Sequence, residues 1–401
     1  MTTLVASIIV AVGCIGWLIA MLIILRNACS LPLLQSLTSL PCSTPLVSVI
    51  IPACNEAETL EYALTSLLAS DYTAIEVLLV NDRSTDNTGA IMEDIASRDK
   101  RVRVIHITSL PEGWLGKVHA LHVASQQALG KYILFTDADV HFHKHTLSYV
   151  LAYVEQHHID HVTIFPEIRT PPVLSFFTRY TLQVVITCFA ALFLLRLRLH
   201  SVVEPDEKAF VGIGAFNLVR ASVFRQTPGM EWLKMEVIDD VGLGMMMKRY
   251  HARCAVLNGA GMLHLVWYPS VKAMARGFEK NFFAGFGQYR WSLVILRIAA
   301  LVAIIILPIA VALALWLVEG LLLPCIAVFS IYCMLPYAMA HVLRAYVLTT
   351  PAAFAALPYG FIVILGLIVL SAYTISRHQG IWWRGTFYPL DALRQEQRVR
   401  L

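Results

Sequence analysis

Carboxylates recur in one kind of place in this sequence, directly after short apolar, β-branched runs. Pro52-Ala-Cys-Asn-Glu56 follows the first run, Asn81-Asp-Arg-Ser-Thr-Asp-Asn-Thr88 the second and Thr136-Asp-Ala-Asp139 the fourth. A further pair stands at Asp239-Asp240. Carboxylates at neighbouring strand ends repel one another unless a cation or ligand donors offset them. The alternation in Asp137-Ala-Asp139 directs two carboxylates at one hard divalent ion. Oxygen ligands suit Mg2+ or Mn2+, ions that keep waters and take up substrate phosphates. A GxGxxG turn after the first strand is absent, which argues against a dinucleotide site. Gly113-Trp-Leu-Gly-Lys117 lacks the spacing and hydroxyl of a P-loop.

The elements that must position these groups are legible as alternation. Leu46–Pro52, Ile75–Val80, Val102–His106 and Tyr132–Phe135 read as strands, with helices expected over Glu56–Ala69, Thr85–Ser97 and Lys117–Leu129. Strands alternating with helices imply an α/β fold, a doubly wound and mainly parallel sheet that takes ligands at the carboxyl ends of its strands.

Composition sets the wider frame. Of 401 residues, 58% are hydrophobic and 14% charged, and mean hydropathy is +0.66. Soluble domains carry about 25% charged residues, so a purely soluble enzyme is excluded. The net charge of +4 gives no case for nucleic acid. The eight cysteines show neither a CxxC pair nor metal-ligand spacing, and suggest reduced thiols. Leu4–Leu25 is uncharged and would extend about 33 Å as a helix, enough for a bilayer core. It reads as a retained anchor. Ile298–Val318, Leu321–Leu343 and Ala352–Ile375 also qualify as spans.

The expected organisation is an anchor over 1–27, a polar domain over 45–291, a membrane bundle over 292–376 and a basic tail over 377–401. Residues 171–198 are apolar but interrupted by Arg179 and Gln183, and are expected to form an interfacial or re-entrant helix. A true span there would place acidic clusters in different compartments. An uncharged amino terminus outside would leave the polar domain in the cytosol. Arg377, Arg384, Arg394, Arg398 and Arg400 favour a cytosolic tail, although three later spans would put it outside. A re-entrant stretch would reconcile the two.

IIPACNEAETL, VNDRSTDNT, GKVHAL, GKYILFTDADV and VIDDVGLGMMM, in this order, resemble a family 2 glycosyltransferase of the GT-A fold over roughly Leu46–Trp291. The Gly113–Lys117 element, the flanking apolar stretches and Ile381-Trp-Trp-Arg-Gly-Thr-Phe-Tyr388 look like a narrower group. Its members are membrane-bound lipid glycosyltransferases of the ceramide glucosyltransferase, hopanoid-associated and carotenoid types. The resemblance implies that Pro52, Asn55 and Glu56 line the nucleotide pocket and that Asp82 binds the base or ribose. It places Lys117 beside the uracil or diphosphate, Asp137 by the ribose and Asp139 on the metal. Asp240, second of its pair, would be the base, with Asp239 beside it facing the acceptor.

The chemistry agrees with that assignment. Cleaving an anomeric carbon from a diphosphate develops negative charge that a divalent ion and an ammonium offset. A positioned carboxylate activates the acceptor hydroxyl. A base opposite the leaving group gives inversion in a single displacement.

Plainer roles exist for each residue. Asp82 and Asp86 could be turn or helix-start residues, Lys117 a solvated helix residue, and Asp239-Asp240 partners of a helix dipole. His141-Phe-His-Lys-His145 reads as a solvated helix start and His264 as a core histidine, with a metal role the alternative for both. Arg290-Trp291 retains part of a QxxRW motif, with Gly287 at the glutamine position; the pair either edges the acceptor site or anchors at the interface. The expected activity is transfer of one sugar from a nucleotide sugar, such as a UDP-sugar, to a lipid hydroxyl or carboxyl at the membrane. A processive polysaccharide synthase and a non-catalytic nucleotide-sugar-binding membrane protein are the rivals.

Overall fold

The computed structural model describes residues 2–37, 41, 43–171, 173–197, 209–342 and 351–400. Arg198 and Leu343, which end two of the apolar stretches above, lie outside them. The chain forms two compact units that do not follow its order. One combines Leu31–Arg169, Arg198–Val266 and Gln379–Leu401. The other combines Met1–Ser30, Thr170–Leu197 and Trp267–His378.

In the first unit the β-branched runs form the centre of a sheet. A continuous apolar run leaves no face for water, and β1 (Val47–Ala53) is buried along its whole length. β2 (Ile75–Asp82) pairs with it in parallel after α2 (Leu60–Leu68). β3 (Val102–Ile107) extends the sheet after α3 (Thr88–Arg98). The chain then returns through α4 (Gly116–Ser125) to place β4 (Tyr132–Phe135) on the other side of β1. That reversal is a topological switch, which opens a crevice at the carboxyl ends of β1 and β4.

The helices α2 and α3 start later than expected. Asn55 takes a left-handed φ of 58°, and its Oδ1 accepts from the backbone N–H of Thr85 and of Asp86. The two strand-end loops are thereby clipped together before either helix begins. Asp86 serves the start of α3, accepting from the Thr88 N–H and hydroxyl.

After β4, His141–Phe142 forms a short strand, β5, where a helix start was expected. A partner distant in sequence decides this: His141 pairs with His264, and α5 (Thr146–Gln156) begins only afterwards. β6 (His161–Phe165) belongs to the main sheet, and β7 (Glu167–Ile168) to a small three-stranded one with β5. The helix α6 (Phe176–Arg196), in the other unit, separates these from β8 (Asn217–Arg220). β8 runs antiparallel between β4 and β6. The residues entering β8 therefore lie at the end of the sheet where β4 finishes. α7 (Asp239–Arg249), β9 (Cys254–Asn258), parallel to β6, and β10 (Leu263–Leu265), which joins the small sheet, follow. The seven-stranded order β3-β2-β1-β4-β8-β6-β9 is the mainly parallel α/β sheet expected.

The second unit is helical. It contains α1 (Thr2–Ser30), α6, α8 (Val271–Gly285) and apolar helices over 291–319, 322–342 and 357–378, two of them with a π-helical turn. Among the described residues, five of its helices are long and apolar enough to cross a membrane, by length and composition. Trp17 stacks on Tyr332 at 4.6 Å. The Asn27 side-chain amide donates to the carbonyls of Leu194 and Leu197 at 2.6 and 2.8 Å, satisfying acceptors that the end of α6 leaves without intrahelical partners. Leu4, Leu317 and Leu323 stay exposed.

Residues after this unit return to the first one. β11 (Gly380–Trp383) and β12 (Thr386–Pro389) form a hairpin. Beyond it, the backbone N–H groups of Arg398 and Val399 donate to one oxygen of Glu236 at 2.8 and 2.9 Å. The Glu236 side chain is buried, and its backbone stands three residues before Asp239.

Candidate active site

Because β1, β2 and β4 are parallel, their carboxyl ends bring Glu56, Asp82 and Asp137 to one end of the sheet. Asp82 is fully buried, and Arg83 forks onto both its oxygens, Nε at 2.7 Å and Nη2 at 3.1 Å. The start of α4 packs against this pair. A Cβ on Gly116 would stand 2.4 Å from Asp82 Oδ2, so the close approach needs glycine, and it delivers Lys117 to the centre of the site.

The Lys117 ammonium lies 2.8 Å from Asp137 Oδ1 and 3.5 Å from Asp239 Oδ2. Burial opposes its charge, but Asp137, Asp239 and Asp240 together hold its pKa above the ordinary lysine range. Asp240, at the N-terminus of α7, accepts from the Gly214 N–H at 2.9 Å through Oδ2 and from Val241 at 2.8 Å through Oδ1. Burial and neighbouring Asp239, against Lys117, push the Asp240 carboxyl up to about 6. Asp139 is pushed up to about 7 by burial, Asp137 and Glu56. Glu56 is raised by burial, with Arg384 acting against it and Asp137 with it. Pro52, Lys117, Asp137, Asn217, Asp239 and Asp240 line one small pocket.

The sequence-derived residues thus separate into groups. Lys117 contacts Asp137 and Asp239, and Asp240 lines the same pocket. Asp139 and Glu56 adjoin it electrostatically, and Asp82 backs the start of α4. Asn55 clips two loops, its side-chain oxygen turned to backbone donors. Arg290 and Trp291 belong to the helical unit, where the Trp291 indole donates to Ser376 at 2.9 Å. His141 stacks on His264 at 4.9 Å, and burial holds both below the ordinary histidine range. Among the described residues, no three His, Cys, Asp or Glu groups form a ready-made ion cage.

Sequence reasoning missed Arg83 as the partner of Asp82, Gly214 as the donor to Asp240, and Glu236. It also missed Arg384, whose Nη2 lies 3.0 Å from Glu56 Oε1. One signal was available: Arg-Gly between Ile-Trp-Trp and Thr-Phe-Tyr is a two-residue break between strand-forming runs.

The segment entering β8 fits α7 with little space to spare. A Cβ on Gly212 would stand 1.8 Å from the Asp240 carbonyl oxygen, so backbone must move to admit it. Gly212→Ala is expected to displace the start of α7 and cost about 1–3 kcal/mol, as overpacking does. Thermal unfolding combined with turnover should show a lowered midpoint and lost activity; a wild-type pair of values would refute the close-packing account.

Residues 48–227 match the family model described as "Glycosyl transferase family 2". An uncharacterized glycosyltransferase, EpsJ, of Bacillus subtilis is 37% identical over 29% of this chain and 32% of its own length. A Staphylococcus haemolyticus protein named 4,4'-diaponeurosporenoate glycosyltransferase is 23% identical over 61% of this chain and 62% of its own. The chain spans about a third of the length of the first curated relatives it matches. Among solved structures, a mannosyltransferase of Pyrobaculum calidifontis, in complex with GDP-Man and Mn2+, aligns at a TM-score of 0.53. It is 17% identical, with 93% of this chain and 98% of that one covered, a likeness of fold.

Proposed function

Because the chain belongs to the family 2 glycosyltransferases through residues 48–227, we propose that it transfers one sugar from a nucleotide sugar to a membrane lipid. The reaction is metal-dependent and inverts the anomeric centre. The observation that carries this reading is the Lys117 ammonium between Asp137 and Asp239, with Asp240 one residue further on. Asp240 is the base: it is raised into a range where it accepts a proton near neutrality, and it is held in place by the Gly214 N–H. Asp239 holds Lys117 and borders the acceptor. Lys117 attracts the diphosphate, while Asp82 and its Arg83 partner back the nucleoside side.

The carboxylates fit a divalent ion. Desolvation, and then the neighbouring Asp137 and Glu56 carboxylates, raise the Asp139 pKa, a crowding of negative charge that a cation would relieve. Mg2+ or Mn2+ takes few protein ligands and completes its shell with water and phosphate oxygen, so the lack of a three-residue cage is no obstacle. Asp139 and Asp137 would hold the ion, which supplies Lewis-acid stabilisation of the leaving diphosphate. The Pyrobaculum mannosyltransferase, solved with GDP-Man and Mn2+, supports both donor class and ion.

A lipid acceptor is supported by the five apolar helices and by the Staphylococcus relative, whose name gives its substrate as a carboxylate. The polar unit is read as cytosolic, the side on which an uncharged amino terminus outside would leave it. The chain leaves that unit after Arg169 and is back in it by β8, within the same sheet. Because the residues on both sides of it belong to one sheet-bearing unit, α6 is read as interfacial or re-entrant. The segment 267–378 is likewise flanked in sequence by parts of the polar unit, which supports a re-entrant stretch among the apolar helices described within it.

Purified protein in detergent, given UDP- and GDP-sugars with and without Mg2+ or Mn2+, tests the reading by mass spectrometry of the lipid fraction. One donor should be consumed only with metal present, and a lipid should gain one sugar's mass. Absence of binding or hydrolysis of every donor under every metal condition would refute it; a ladder of products would favour the processive rival.

A further inference from the structure

We propose that Arg384, at the tip of the β11–β12 hairpin, binds the diphosphate of the nucleotide donor. This rests on the donor reading above and adds a phosphate-binding residue from outside residues 48–227.

The hairpin geometry is specific. Trp383 pairs with Thr386, leaving Arg384 and Gly385 as a two-residue turn with φ of 49° and 78°. Two left-handed residues make the turn whose twist matches paired strands. Arginine there carries backbone strain, which persists only where surrounding contacts over-determine it.

Those contacts converge on the candidate donor site. The Gly116 N–H, beside Lys117, donates to the Tyr388 hydroxyl at 3.2 Å. Arg83, forked onto Asp82, donates from Nη1 to Thr386 Oγ1 at 3.0 Å. Arg384 itself reaches Glu56. Each tie ends on or beside a residue already placed at the nucleotide pocket.

Charge then gives Arg384 its occupant. A nucleoside diphosphate brings negative charge next to Glu56, Asp137 and Asp139, and cations must offset it. Arg83 has Nε and Nη2 engaged with Asp82. Arg384 meets Glu56 through one nitrogen and one oxygen, and both side chains are about a quarter exposed, at 27% and 28%. Held, among the described residues, by its Glu56 contact and within reach of solvent, the guanidinium can turn further donors to a phosphate. Its planar fork matches phosphate oxygens two at a time.

The test uses full-length protein in detergent with Mg2+, measuring UDP and GDP binding, donor KM and kcat, and the thermal unfolding midpoint without ligand. Arg384→Ala should weaken nucleoside diphosphate binding and raise donor KM about 10- to 100-fold, the range expected for a charged hydrogen-bond pair. kcat should fall as well, because negative charge grows on the departing diphosphate, and Arg384→Lys should be intermediate. Thr386→Val removes a hairpin tie but keeps the guanidinium, and should change diphosphate binding far less. Equal losses in Thr386→Val and Arg384→Ala, with lowered midpoints in both, would reduce Arg384 to a hairpin latch and overturn the proposal. Unchanged diphosphate affinity in Arg384→Ala would overturn it while the donor reading stands. Wild type binding neither diphosphate would overturn both.

Discussion

Asp240→Asn is expected to lower kcat by about 10²–10⁴-fold, the usual contribution of a positioned base, with donor affinity changed only a few-fold. The amide keeps the shape, but its single oxygen can accept from only one of the Gly214 and Val241 N–H groups, and it cannot take a proton. Wild-type turnover should fall as pH drops through about 6, where Asp240 becomes protonated. Two further variants fix the sign. Asp239→Asn removes a negative neighbour, so Asp240 gives up its proton more readily and the acid limb moves down. Lys117→Met removes a positive neighbour, so the limb moves up. A pH profile that ignores both substitutions, or an Asp240→Asn enzyme that still turns over, would take the base role away from Asp240.

Lys117→Met carries the second large effect. Removing one member of a buried charge cluster leaves the others uncompensated, which typically costs about 3–5 kcal/mol. If the ammonium also stabilises the leaving diphosphate, turnover should fall about 10²–10³-fold, as for loss of a preorganised donor to a developing anion. The two roles separate in the Lys117→Met/Asp239→Asn double variant. A merely charge-balancing lysine would be rescued in stability and activity together. A lysine that serves the diphosphate leaves a stable protein that still transfers poorly. Unfolding midpoints read beside single-turnover rates distinguish these outcomes.

The strands that carry Glu56, Asp82 and Asp137 were legible because parallel central strands are apolar along their whole length and end abruptly. Val47–Ala53, Ile75–Asp82 and Tyr132–Phe135 each advertise themselves locally. His141 did not: its conformation is set by pairing with His264, more than a hundred residues away. The first turn of α2 failed for a similar reason. Glu56 to Thr59 have helix-compatible side chains, but Asn55 and the Thr85–Asp86 backbone settle that loop between themselves. Arg384 and Glu236 were illegible as site-supporting residues because their partners lie 328 and 162 residues away in the chain. Pairing that long-ranged leaves no periodic trace in sequence, although the Arg-Gly turn itself was there to be seen.

The fastening of Glu236 by the amides of Arg398 and Val399 bears on when this protein becomes competent during its own synthesis. At ~5–20 residues per second, those amides leave the ribosome on the order of ten seconds after Asp240 does. In that interval the apolar helices emerge and must be delivered to their surroundings. A nascent chain interrupted there would hold its sheet and its carboxylates but not the strap that secures the segment leading into Asp239. The polar unit would thus mature last, once the rest of the polypeptide had found its place.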